Sequence, residues 1–217
     1  MKKVLLSAAA VFTLVLLYVG MVFFYRFHYV MGPSTGERID RTTRPNSALL
    51  VIDVQEKYTG TGSSRETSAP YINAINSAVD KAFRRKMEVI YISAVREKGN
   101  VRQAFFSGDI AVAGSPGAAF DGRLAAVPAR IFSKYRADAF HTKEFERYLA
   151  ERGIGTLYLT GIALEFCVGE TAKGALSRGY GVTLIEDAVI PAFASSRKKK
   201  LDALVSLGAS VISEKEF

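Results

Sequence analysis

From Val4 to Tyr25 the chain carries no charged side chain, and most positions are Val, Leu, Ala, Phe or Tyr. Beyond it, short apolar runs alternate with segments of helical spacing. Ser47–Val54 is a continuous run rich in β-branched residues, the pattern of a strand covered on both faces. Pro70–Lys86 sets Ile72, Ile75, Val79 and Phe83 on one helical stripe. Met87–Val95 predicts a second strand, Ile131–Ser133 a third, Thr156–Thr160 a fourth, Gly181–Ile185 a fifth and Ala209–Ile212 a last. Thr142–Arg152, Phe166–Arg178 and Ser195–Leu207 read as helices, the first two stopped by Gly153 and Gly179. The alternation predicts a three-layer α/β/α fold with a parallel sheet between helices. Arg96–Arg130, with its glycines and Pro116, predicts loops over a sheet edge.

The first apolar run predicts one N-terminal transmembrane helix, because roughly 20 such residues span a hydrocarbon core of roughly 30 Å. Arg26-Phe27-His28-Tyr29 behind it reads as an interfacial belt. A cleaved leader would share the Lys2-Lys3 start, but its apolar region usually runs about 7–15 residues to a small-x-small site. The expected organisation is a membrane anchor over 1–30, a polar linker over 31–46 and a folded domain over 47–217. Lys2 and Lys3 favour an inside N-terminus, which makes the protein single-pass with its domain outside the cytoplasm.

Composition narrows the chemistry. With 217 residues, 49% apolar and 23% charged, the chain is an ordinary globular one. One cysteine excludes an intrachain disulfide framework and a Cys-rich zinc module, and two histidines leave little for a transition-metal site. No metal and no cofactor are expected. Much of the net charge of +8 sits in Arg197-Lys198-Lys199-Lys200, a solvated patch rather than a nucleic-acid footprint. Gly60-Thr-Gly62 lacks the third glycine of a dinucleotide loop, since residue 65 is Arg, and Pro70 argues against a helix opening there. Ala113-Gly-Ser-Pro-Gly117 departs from a serine nucleophile elbow at its first position, and Pro116 follows the serine.

In open parallel sheets ligands bind at the carboxyl ends of the strands. Asp53 ends the first strand, Lys134 closes the third, and Cys167 begins the helix after the fourth. Singly they have bland explanations: a cap, an exposed ammonium, a small buried hydrophobe. Together they make a nucleophilic site. A helix start and a nearby ammonium favour a thiolate. A carboxylate can carry its proton to a leaving amine, and main-chain N–H groups at the helix start can receive an oxyanion.

Four ordered blocks resemble the isochorismatase-like cysteine hydrolase superfamily: Leu49-Leu-Val-Ile-Asp53-Val-Gln55, Lys134 with Ala139-Phe140-x-Thr142, Leu159-Thr-Gly161-Ile-Ala-x-x-x-Cys167-Val-x-x-Thr171-Ala172, and Gly179-Tyr-x-Val182 with Glu186-Asp187-Ala188. The resemblance covers Ser47 to the C-terminus. It implies a six-stranded parallel sheet, an Asp53–Lys134–Cys167 triad, a cis peptide at Ile162-Ala163, and an oxyanion hole from the N–H groups of Ala163 and Cys167. It also implies that copies of the chain could associate. Gln55, Tyr58 and Phe106 are candidates for the substrate pocket.

Two departures matter. The stretch Val95-Arg-Glu-Lys-Gly-Asn100 has no histidine, where metal-binding nicotinamidases carry an Asp-x-His group. The family's usual Ser-Ala-Phe after the lysine reads Asp138-Ala-Phe140. The expected activity is hydrolysis of an amide-like C–N bond in a small carboxamide, ureido or carbamoyl compound through a thioester on Cys167. An isochorismatase-type vinyl-ether hydrolase and a non-catalytic membrane-anchored binding protein are the alternatives.

Overall fold

The computed structural model describes residues 2–107 and 109–217, without the side chains of 2–9, 27 and 29. It holds helices α1 (Lys2–Tyr25), α2 (Gly62–Arg84), α3 (Val101–Ser107), α4 (Lys143–Glu151), α5 (Cys167–Ser177) and α6 (Arg197–Ser206). Its strands are β1 (Asn46–Ile52), β2 (Glu88–Arg96), β3 (Ala111–Val112), β4 (Arg130–Lys134), β5 (Ile154–Ile162), β6 (Gly181–Ile190) and β7 (Ser210–Ile212).

All seven strands pair in parallel, in the order β3-β2-β1-β5-β6-β7, with β4 also on β2. Among the described residues the expected six strands become seven: β4 pairs with Ile90–Ala94 of β2, and the two-residue β3 pairs with Val95–Arg96 further along it. A two-residue strand carries no periodicity, which is why β3 was not foreseen.

Side chains of β1 alternate between two cores. Ala48, Leu50 and Ile52 face Phe145 and Leu149 of α4, and Val168 and Ala172 of α5. Leu49 and Val51 face Ile72, Ile75 and Val79 of α2. A continuous apolar run is the signature of a strand covered on both sides, and the three layers follow from it. Helix α2 begins eight residues before the expected start, at Gly62, and runs through Pro70. Its first two turns are polar and mostly exposed, so no hydrophobic period announced them. Phe83, expected on the buried stripe, is exposed, and Ala82 is buried in its place.

Among the described residues no helix is both long and apolar enough to cross a membrane. This corrects the expected single-pass anchor and the extracytoplasmic placement drawn from it. The side chains of Lys2, Lys3, Phe27 and Tyr29, on which orientation and belt relied, lie outside the described residues. The segment expected as a linker lies against the domain. Ile39 donates its N–H to Arg178 O at 2.7 Å, and Ser34 donates both N–H and Oγ–H to Asp138.

Gly161 lets β5 lie against β1. Its φ is +112°, and a Cβ there would fall 2.0 Å from Ile52 O. Gly161→Ala is expected to destabilise the protein by about 3 kcal/mol or more, adding left-handed backbone strain to a clash with β1. Denaturant unfolding of the two full-length chains measures it.

Candidate active site

The carboxyl ends of β1, β4 and β5 deliver three side chains to one place. Asp53 follows β1 with φ +56°, a region that non-glycine residues rarely adopt and that clusters at functional sites. Its N–H remains tied to Ile92 O at 2.8 Å, so the turn leaves the sheet while its carboxylate enters the interior. Lys134 ends β4, in register with Ala94. Its Nζ donates to Asp53 Oδ2 at 2.7 Å, and both side chains are almost wholly buried, at 1% and 3% exposure. Among the described residues Asp53 Oδ1 has no hydrogen-bond partner.

Cys167 opens α5 after the Ala163–Phe166 turn and is partly buried. The Ile162–Ala163 peptide is cis, as the resemblance implied. Leu164 donates its N–H to Ile190 O, and Phe166 and Val168 both donate to Ala163 O. Among the described residues no turn hydrogen bond takes the N–H of Ala163 or of Cys167. Those are the two groups named for the oxyanion.

Electrostatics tie the three side chains together. Burial raises the Asp53 carboxyl above its ordinary 3.8, against the pull of Lys134 and a further lowering from Cys167. At Lys134 burial favours the neutral amine, but Asp53 and the thiol outweigh it, so its pKa rises and the ammonium persists. Burial first, and Asp53 second, push the Cys167 thiol up to about 12, with Lys134 opposing. Desolvation outweighs the lowering that the nearby ammonium brings, so the thiol's pKa lies above its ordinary 9.0.

Asp53, Cys167, Tyr58 and Ala163 line a common cavity of about 240 Å³, together with Val30, Met31, Ala94, Ser107, Ile110, Tyr135, Arg136, Ala137, Ile162 and Phe166. The wall is largely apolar. Lys134 stands behind Asp53 rather than in the lining. The Tyr58 phenol faces the same charges, and burial followed by Asp53 raises its pKa to about 12.

Two of the named pocket residues are elsewhere. Gln55 is fully buried: its Oε1 accepts from Ala94 N–H at 2.7 Å, and its Nε2 donates to Ala118 O at 2.9 Å. It clamps the end of β1 to the end of β2. Phe106 lies on α3, 4.4 Å from the Tyr25 ring, in an adjoining depression that shares Val30 and Tyr135 with the cavity. Sequence reasoning also missed the supports. Glu165 in the nucleophile turn accepts from the N–H groups of Ala192 and Phe193 and from the Ser196 hydroxyl. Asp121 accepts from Thr59 Oγ1 at 2.7 Å and from Arg123, which also donates to Thr59 O and Ser68 Oγ. The pair fixes the loop that carries Tyr58, and Arg123 holds the Asp121 carboxyl down at about 2. Asp121 and Arg123 are two positions apart, but the groups they and Glu165 hold lie far off in sequence, and the periodic pattern does not reveal them. Among the described residues no three His, Cys, Asp or Glu side chains are grouped to hold a metal ion.

Removing one partner of a buried ion pair costs about 3–5 kcal/mol, whereas replacing both with neutral groups of similar volume is often neutral or stabilising. Lys134→Met should therefore lower stability by a few kcal/mol, and Asp53→Asn combined with Lys134→Met should recover most of it. Chemical denaturation of the single and double variants checks this.

With the geometry established, comparison with known proteins places the chain. An isochorismatase domain model matches residues 47–216. Streptothricin hydrolase of Streptomyces noursei is 26% identical over 146 residues, covering 67% of this chain and 54% of that protein. The chain thus spans about half the length of that relative. Among solved structures, N-carbamoylsarcosine amidase from Thermoplasma acidophilum superposes with a TM-score of 0.70 at 20% identity, over 79% of this chain and 98% of that one. The pyrazinamidase/nicotinamidase of Streptococcus mutans UA159 gives 0.70 at 22%, over 77% of this chain and 100% of that one. Likeness at this level shows a shared fold.

Proposed function

The chain belongs to the isochorismatase family, and from that premise we propose that it is a cysteine hydrolase that cleaves an amide-like C–N bond of a small molecule. The supporting observation is the Cys167 thiol and a buried carboxylate, with one oxygen unpartnered among the described residues, facing one largely apolar cavity. Carboxamide, ureido and carbamoyl groups are the substrate classes. The relatives named above carry hydrolase and amidase names, in keeping with that chemistry. A cavity of about 240 Å³ is below the roughly 300–1,000 Å³ of drug-sized ligand sites, which favours a small substrate with an apolar body.

Asp53 Oδ1 takes the proton of Cys167 as Sγ attacks the carbonyl carbon. The carbonyl oxygen becomes an oxyanion held by the N–H groups of Ala163 and Cys167, each such donor worth about 3–4 kcal/mol. Asp53 returns the proton to the leaving nitrogen, the C–N bond breaks, and ammonia or an amine departs from a thioester. Water then gives its proton to Asp53 and attacks that thioester. The C–S bond breaks, the acid leaves, and the proton goes back to sulfur. Lys134 keeps Asp53 aimed and offsets the negative charge that passes among carboxylate, sulfur and oxygen. Tyr58 contacts the substrate from the cavity wall. A vinyl-ether hydrolysis would leave Cys167 without a task.

Ammonia release by the full chain over a panel of small amides and ureido acids tests the proposal. Cys167→Ala is expected to abolish activity, and Asp53→Asn to lower kcat/KM by about 10²–10⁴-fold. Ammonia release undiminished in Cys167→Ala would overturn the covalent route.

The pH profile carries a second expectation. The base must be ionised, and burial raises the Asp53 carboxyl above 3.8. Activity is therefore lost as pH falls through that raised value and recovers as pH rises. Lys134, raised above its ordinary 10.5, should cause no alkaline loss below that pH. A kcat/KM profile whose acid limb lies at or below pH 3.8 would contradict this assignment.

A further inference from the structure

Residues 30–36 precede the part of the chain that the isochorismatase model matches, yet the first two of them line the catalytic cavity. Val30 is 2% exposed and, with Met31, lines the same space as Asp53 and Cys167. The Val30 carbonyl accepts the N–H of Ala137 at 2.9 Å, which pins it beside the Lys134 strand end.

The segment is then latched. Asp138 Oδ2 accepts from Ser34 N–H at 2.7 Å and Ser34 Oγ at 2.6 Å. Arg178, 3% exposed, donates to Ser34 O and Thr35 O at 3.1 Å each. Gly36 lies flat on that guanidinium, where a Cβ would fall 2.5 Å from Nε. The latch gives Asp138 a purpose. The sequence has a carboxylate where the family motif usually has serine, and that carboxylate receives the added segment.

We propose that residues 30–34 form a wall of the substrate pocket, held by Asp138 and Arg178, and that Val30 and Met31 help set which substrates enter. The proposal rests on the hydrolase reading for the word substrate. The wall itself is testable without turnover, because Cys167 is the chain's one cysteine and its alkylation reports access to the cavity.

The experiment uses the full chain and two reagents, iodoacetamide and the bulkier N-benzyl-iodoacetamide, with labelling followed by intact mass. The quantity read is the ratio of the bulky to the small reagent's rate. Val30→Ala should raise that ratio by about tenfold, the scale of selectivity that a methylene or two confers in an apolar pocket. Val30→Phe should lower it. The opposite signs separate a wall effect from general loosening, which would raise the ratio in both variants and so overturn the proposal. A ratio unchanged within twofold in both variants would also overturn it. Ammonia release by the unsubstituted chain is measured in parallel. Shifted labelling without hydrolysis of any amide would sink the hydrolase reading and leave the wall standing. Hydrolysis with unshifted labelling would do the reverse.

Discussion

The contact on which the site depends is the buried ion pair between Asp53 and Lys134, closed at 2.7 Å with almost no solvent on either side chain. Two charges in such a place are expensive, and apolar residues of the same size would serve stability as well or better. The pair therefore makes sense as chemistry rather than as a brace. The ammonium keeps a carboxylate available in a space that would otherwise favour its protonated form. The carboxylate in turn faces a sulfur whose pKa burial raises. Burial makes both groups costly to ionise, and a proton passed between them separates no charge into water.

The scaffold holds this arrangement by backbone more than by side-chain packing. Asp53 leaves β1 in a left-handed turn, Lys134 is positioned by its register against Ala94, and Cys167 is positioned by a turn tied to β6 and to the loop before α6 through Leu164 and Glu165. Gly161 brings β5 close enough to β1 for the three to converge. Gln55, next along from the turn, joins β1 to β2 and to the Ala118 carbonyl, so the carboxylate rests on three elements at once.

The layers and every strand but β3 were legible in the chain, and so was the placing of Asp53, Lys134 and Cys167 at strand ends, because each follows from a local pattern. Apolar runs mark covered strands, and residues just past their carboxyl ends mark the ligand edge. Other features had no such mark. The first turns of α2 are polar on all sides, and β3 spans two residues. Gln55 and Phe106 looked like pocket residues by position, but a buried amide is drawn to main-chain partners and Phe106 to the Tyr25 ring. The thiol's resting protonation depends on how much solvent the fold removes, which spacing does not show. The segment before Ser47 looked like polar spacer, and its attachment depends on Asp138 and Arg178, more than a hundred positions away in sequence.

The central claim is that Asp53 makes Cys167 a nucleophile that carries the acyl group. The most direct measurement is intact and peptide mass spectrometry of the full chain, acid-quenched during turnover of an amide that it hydrolyses, with and without hydroxylamine. The account predicts an acyl mass on the peptide containing Cys167, a hydroxamate when hydroxylamine is present, and neither in Asp53→Asn. Steady turnover with no adduct and no hydroxamate, or an adduct on any other residue, would contradict it.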